Sequence, residues 1–309
     1  MRRRSFLQGL APVLAVAALP RSSLARSSEP ADLTVTPLTE SLFVISGGGG
    51  NVTVFNSPQG VLLVDGGSPQ QSKRILDLVQ KKTGSKRVHT LFNTHWHWEQ
   101  TGSNLTLGPA GTKIIAHENT RLWLSTDVVS KWQNDKLFKR LPQKARPNQT
   151  FYTTGSLSFG GEKIDYGYLP QAHTDGDIYV FFRNANVLVA SDVVSVGSYP
   201  IIDYCTNGWI GGMVNATQTL IGLCNEQTRV VAGSGAVRAR SDIEVEHAML
   251  ATTKQKLSHL LAQGMSAQDM IDAGATQEFD AAWGDPKLFV RNVWPGLVQR
   301  ARELGVAIV

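Results

Sequence analysis

The residues best suited to chemistry in this sequence are a spaced set of histidines and one aspartate. His95 and His97 lie two apart in Asn93-Thr94-His95-Trp96-His97-Trp98-Glu99-Gln100-Thr101-Gly102. His173 sits in Gln171-Ala172-His173-Thr174-Asp175-Gly176-Asp177, and Asp192 closes Val189-Ala190-Ser191-Asp192. A hydrophobic strand over residues 89–94 runs into the first pair and can turn both imidazoles toward one point. Neutral imidazole nitrogens are good zinc ligands, and catalytic zinc takes three protein ligands and leaves a position for water. Zinc held this way lowers the pKa of its bound water toward ~7 and yields a hydroxide nucleophile. Asp192 would orient that water or complete the coordination. Glu99 is a candidate general base or proton donor, with an inert role left open. A lone His-x-His is common by chance; His173 and Asp192, each beside a strand, give this one its weight.

The elements that must position these groups are legible from periodicity. Residues 42–45, 51–55, 61–64 and 89–94 read as strands, with a turn at 57–60 and helical spacing of Ile75, Leu76 and Val79 over 72–82. The second half repeats this grammar. Strands fit 157–159, 163–168, 178–182, 187–190 and 229–232, and helices fit 212–224 and 244–263. Two strand-rich halves, each followed by helices, imply two sheets packed face to face with helices outside.

In order and spacing these motifs resemble the metallo-β-lactamase superfamily, over about residues 33–240. That family carries His-x-His-x-Asp-His after a strand, then a His-Thr-x-Gly, an Asp after a hydrophobic strand, and a late Gly-His-Gly. The resemblance implies an α+β fold, the αββα sandwich of two mixed β-sheets face to face with helices on both outer faces. The domain would occupy 32–309, with a helical extension from about 242. It places His95, His97 and His173 on the family's three-histidine metal site and Asp192 on its metal-bridging aspartate. It also suggests that glycines 47–50 form a mobile flap, and that Asp65, in a strand-end Asp-Gly turn, supports the ligand loop from behind. The departures concern the second metal: Glu99 replaces aspartate, Gln100 replaces histidine, and Ser234 replaces the late histidine. Neutral Gln and Ser oxygens are weak ligands for zinc. The expectation is therefore one tightly bound Zn2+ and a second site that is weak or absent.

The chain's start bears on location. Arg2, Arg3 and Arg4 precede a short apolar run and small residues near Ala25, the anatomy of a signal peptide over 1–25. Arg3-Arg4-Ser5-Phe6-Leu7 resembles the twin-arginine export signal, implying a bacterial, periplasmic or otherwise exported protein with no stable membrane anchor after cleavage. The net charge of +5 is accounted for by the five arginines up to Arg26, so nothing suggests a nucleic-acid partner. Cys205 and Cys224 are left open between a disulfide and separate roles. Trp96, Trp98, Tyr199, Tyr204 and Trp209 either line a substrate pocket or pack. Residues 198–212 read as a long loop near the site. The function expected is a zinc hydrolase of a small carbonyl substrate: a lactone, ester, thioester or lactam. The alternative is a non-catalytic periplasmic metal- or ligand-binding protein on the same fold, and iron chemistry in the same site is a third reading.

Overall fold

The first half of the chain builds β1 (Thr34–Pro37), β2 (Leu42–Ser46), β3 (Val52–Ser57), β4 (Gly60–Val64), α1 (Ser72–Thr83) and β5 (Val88–Phe92). The short helices α2 (Trp98–Thr101) and α3 (Asn104–Leu107) follow, then β6 (Lys113–His117) and α4 (Glu118–Trp123). A hairpin of β7 (Val128–Ser130) and β8 (Lys136–Phe138) leads to β9 (Gln149–Phe151). The second half contains β10 (Thr154–Phe159), β11 (Glu162–Tyr168), β12 (Ile178–Phe182), β13 (Val187–Ser191), α5 (Ile210–Leu223) and β14 (Arg229–Ala232). It closes with β15 (Arg238–Ala239), α6 (Arg240–Ala262), α7 (Ala267–Asp272), α8 (Gln277–Trp283) and α9 (Lys287–Glu303). This is a computed structural model describing residues 32–305. The export segment expected at 1–25 lies outside the described residues.

Two sheets result, in the orders β1-β2-β3-β4-β5-β6-β9 and β10-β11-β12-β13-β14-β15. The first is parallel from β4 to β9, and the second is antiparallel except at β13–β14. Alternation along the strands explains the layering. Leu62 and Val64 join Phe92 and Ile115 against Ile164, Val180 and Val189 of the facing sheet. Val61 and Leu63 point the other way and pack with Ile75 and Val79 of α1. Leu188, Ala190 and Val230 likewise turn outward onto Met213 and Leu220 of α5 and Leu257 of α6. Strands buried on both faces need apolar residues at every position, which is why β4 and β13 are unbroken apolar runs. The layers are those of the αββα sandwich.

Where the fold departs from expectation, polarity or packing is the reason. β1 is an exposed edge strand, and the β7–β8 hairpin is too short to show a period. The helices after residue 242 follow the sandwich as a C-terminal extension packed on it: Phe289, Val290 and Val293 of α9 share the core that α5 and α6 form on the second sheet. Glycines 47–50 are a packed turn rather than an open flap. Gly48 O accepts the Ser68 N–H at 2.8 Å, and a Cβ on Gly47 would lie 2.5 Å from Asp32 O. Among the described residues no helix is long and apolar enough to cross a membrane.

Candidate metal centre

The carboxyl ends of β4, β5, β13 and β14 converge at one edge of the sandwich, and the turn between β11 and β12 joins them. Asp65 ties three of these ends together. Its Oδ1 accepts the Thr94 backbone N–H at 2.8 Å, and its Oδ2 accepts the Thr94 and Ser191 hydroxyls at 2.7 and 3.2 Å. Burial pushes the Asp65 carboxyl up to about 8, against the lowering effect of the Thr94 hydrogen bonds. Asp65 and Ser191 both hold left-handed backbone, φ 64° and 48°, so the strands end sharply and present the next residues to the site.

His95, His97 and His173 face one another across that edge, each at most 5% exposed. His97 Nδ1 lies 3.1 Å from His95 Nε2 and 3.0 Å from His173 Nε2. Each remaining ring nitrogen has a partner. His97 Nε2 is 3.0 Å from Asp203 Oδ2, His173 Nδ1 is 2.7 Å from Ile201 O, and His95 Nδ1 is 3.2 Å from Thr94 Oγ1. The Asp203 carboxylate and the Ile201 carbonyl can only accept. The ring protons of His97 and His173 therefore point outward, and their lone pairs point into the site. Burial lowers the pKa of all three histidines and favours the neutral form a metal needs.

Asp192 completes the set. Its Oδ2 is 3.3 Å from His95 Nε2 and 3.7 Å from His173 Nε2. Burial would raise the Asp192 carboxyl, but the hydrogen bond and charge of His95, with His173 and His97, outweigh it and hold the group below the usual carboxylate range. One ligand atom from each of the four residues lies within 4.8 Å of the others. Lone pairs that meet at these distances repel one another unless a cation lies between them. Three nitrogens and one oxygen are a donor set that suits zinc. The residues present fit a metal ion.

Three further residues border this set. Glu99 lines the cleft in front of it, half-buried, and burial pushes its carboxyl up to about 7 with Lys136 acting weakly the other way. Gln100 donates from Nε2 to Asp192 Oδ2 at 3.1 Å, and Ser234 lies in the same cleft wall. A Cβ on Gly233 would come 1.6 Å from Asp192 Oδ1, so only glycine fits behind that carboxylate.

Sequence reasoning passed over Asp203 and Trp132. Asp203 is fully buried and also accepts from Thr206 Oγ1 and the Cys205 N–H. Its signal was available: a carboxylate within the long 198–212 loop. Trp132, in the β7–β8 hairpin, donates from Nε1 to Asp203 Oδ1 at 3.2 Å and lines the cleft. No pattern around it pointed there. Of the other aromatics, Tyr199 lines the cleft. Trp96 is buried against Phe138, Trp98 borders a separate small pocket, and Trp209 packs under Arg300. His117 stacks on Tyr168 at 3.8 Å and is not part of the converging set. Cys205 and Cys224 are both free.

The sequence model of the metallo-beta-lactamase superfamily matches residues 45–249. The chain belongs to that superfamily. Membership, with the converging His/Asp set, supports an enzyme of the metal-dependent hydrolase type. The chain is 28% identical over 200 residues to the 2,4-dinitroanisole O-demethylase subunit alpha of Nocardioides sp. (strain JS1661), which covers 62% of this chain and 55% of that protein. It is 24% identical over 191 residues to the metallo-beta-lactamase type 2 of Bacillus cereus, covering 62% of this chain and 68% of the relative. Among solved structures, the metallo-beta-lactamase from Pontibacter korlensis superposes with a TM-score of 0.56 at 16% identity, over 71% of this chain and 99% of that one. At that identity the likeness bears on the fold alone.

Proposed function

We propose that this superfamily member is a zinc-dependent hydrolase of a small carbonyl substrate, such as an ester, lactone, thioester or lactam, with one tightly held metal ion. The observation that carries the reading is the convergence of three imidazole nitrogens, those of His97 and His173 locked from behind by acceptors, beside an ionised Asp192 and an open cleft of about 290 Å³. His95, His97 and His173 would hold the zinc ion, which when bound would supply Lewis acidity and acidify a water. Asp192 accepts a hydrogen bond from the attacking water and sets its direction. Glu99, two residues from His97 and lining the same cleft, takes or gives the proton that moves to the leaving group. Burial keeps the histidines neutral, while Asp203 and Ile201 O hold the ring protons of His97 and His173 on the far side.

Single-metal occupancy follows from Gln100 and Ser234. The Gln100 amide spends its N–H on the very Asp192 oxygen that faces His95 and His173, and Ser234 offers only a neutral hydroxyl. The Arg3-Arg4 export signal supports release into a periplasmic or external compartment as part of the same proposal. Metal analysis of the purified protein, beside His97→Ala and a Gln100→His/Ser234→His double variant, tests the stoichiometry. One zinc per chain is expected, lost in His97→Ala and rising toward two in the double variant. Two zinc ions in the wild type at modest free zinc would remove the single-metal reading. No hydrolysis of any ester, lactone, thioester or lactam by the zinc-loaded protein would remove the hydrolase reading.

A further inference from the structure

The cleft is lined by the metal-ligand edge with Glu99 and Asp192, by the small polar side chains of Ser195, Ser198 and Ser234, and by an apolar group of Trp132, Val194, Val196 and Tyr199. Among the described residues that line the cleft, none is lysine or arginine, and both charged side chains are carboxylates. The nearby cation, Lys136, lies over the rings of Trp98 and Phe138 at 4.5 and 4.7 Å and is not part of the lining. Any anionic group that a substrate carries away from its reacting bond therefore enters a space whose described lining offers no side-chain cation to receive it.

The apolar side is held rigid from behind. Trp132 is anchored through Nε1 on Asp203, the same carboxylate that orients His97, and its ring centroid lies 6.0 Å from that of His97. Tyr199 is stacked on Phe289 at 4.8 Å with the planes 13° apart, and its hydroxyl donates to Asp280 at 2.8 Å. Rings fixed in this way receive a flat or apolar body without first losing side-chain freedom. The volume suits a small molecule, at the lower end of the ~300–1,000 Å³ seen for such sites.

We infer that the cleft selects uncharged substrates with an aromatic or apolar body laid against Trp132 and Tyr199, and disfavours substrates bearing an anionic group away from the reacting bond, carboxylate-bearing lactams included. The inference rests on the hydrolase reading for what is done to the substrate, but the charge selection stands on the lining alone. Two matched pairs test it, turnover on the zinc-loaded protein and binding on the metal-free protein, where no ion can ligate a carboxylate. Phenyl acetate and 4-carboxyphenyl acetate are compared by kcat/KM, and 4-nitrobenzamide and 4-nitrobenzoate are compared by calorimetric Kd. The uncharged member of each pair is expected to be favoured on the order of 10- to 100-fold. Val196→Lys, which puts a cation in the apolar wall, narrows both ratios, and Trp132→Ala weakens 4-nitrobenzamide binding while Trp132→Phe restores most of it. If neither ester is hydrolysed but 4-nitrobenzamide still binds more tightly, the hydrolase reading fails and the charge selection holds. If 4-nitrobenzoate binds as tightly as 4-nitrobenzamide or more tightly, the charge selection is overturned whatever the turnover.

Discussion

The carboxylate of Asp203 lies 3.0 Å from Nε2 of His97, on the side of the ring turned away from His95 and His173. A buried carboxylate in that position fixes the imidazole tautomer, raises the basicity of the inward nitrogen and prevents the ring from rotating. Asp203→Ala should therefore weaken zinc binding by about 10- to 100-fold, measured by competition with a chromophoric chelator. Asp203→Asn, which can still accept from His97, should lose less. Equal zinc affinity in all three proteins would show that the contact does not hold the ligand.

Glu99 faces the cleft without belonging to the converging four-residue set. Its removal should separate binding of metal from chemistry. Glu99→Gln is expected to keep its zinc and lose on the order of 100-fold in kcat. Zinc content and turnover on the same preparation check this, and unchanged kcat would exclude a proton-transfer role.

Metal removal should also be visible in stability. The site is assembled from the ends of separate strands, so the unfolded chain has no equivalent of it, and a ligand that binds only the folded state stabilises it. Free zinc ~100-fold above its Kd should add about 2.7 kcal/mol. Thermal unfolding with and without chelator would show the difference, and His97→Ala should unfold like the chelated wild type.

A fourth expectation concerns pH. Glu246 on α6 is 1% exposed and accepts the Ser195 N–H at 2.9 Å, which fastens the cleft-lining segment to the helix. Burial pushes its carboxyl from 4.5 up to about 7, against the Ser195 hydrogen bond and the charge of Arg238. The folded state thus binds the proton more tightly than the unfolded chain does. The sign follows directly: between pH ~4.5 and ~7 stability falls as pH rises, by on the order of 3 kcal/mol across the window from this group alone. Glu246→Gln keeps an acceptor for Ser195 and cannot ionise, so denaturant titrations at pH 5 and pH 8 should show a smaller loss of stability in the variant. An identical loss would mean that Glu246 titrates normally.

Much of this protein was determined locally. The unbroken apolar runs of β4 and β13 state that both faces are covered, and the Ile75–Val79 spacing states a helix with one buried stripe. These follow from strand and helix periodicity, which any stretch of chain carries within itself. Asp65 was legible too, since an aspartate ending a buried strand has a turn to stabilise. What tertiary structure alone decided is what surrounds the metal set. Asp203 and Trp132 are 71 residues apart, yet they share one hydrogen bond and together fix His97 and a cleft wall. Gln100 reaches Asp192 across 92 residues, and glycines 47–50 are closed by contacts with Asp32, Ser68 and Ile75. Such contacts depend on how two sheets and a hairpin are stacked, and periodicity within a segment carries no information about which distant loop the packing will bring against it.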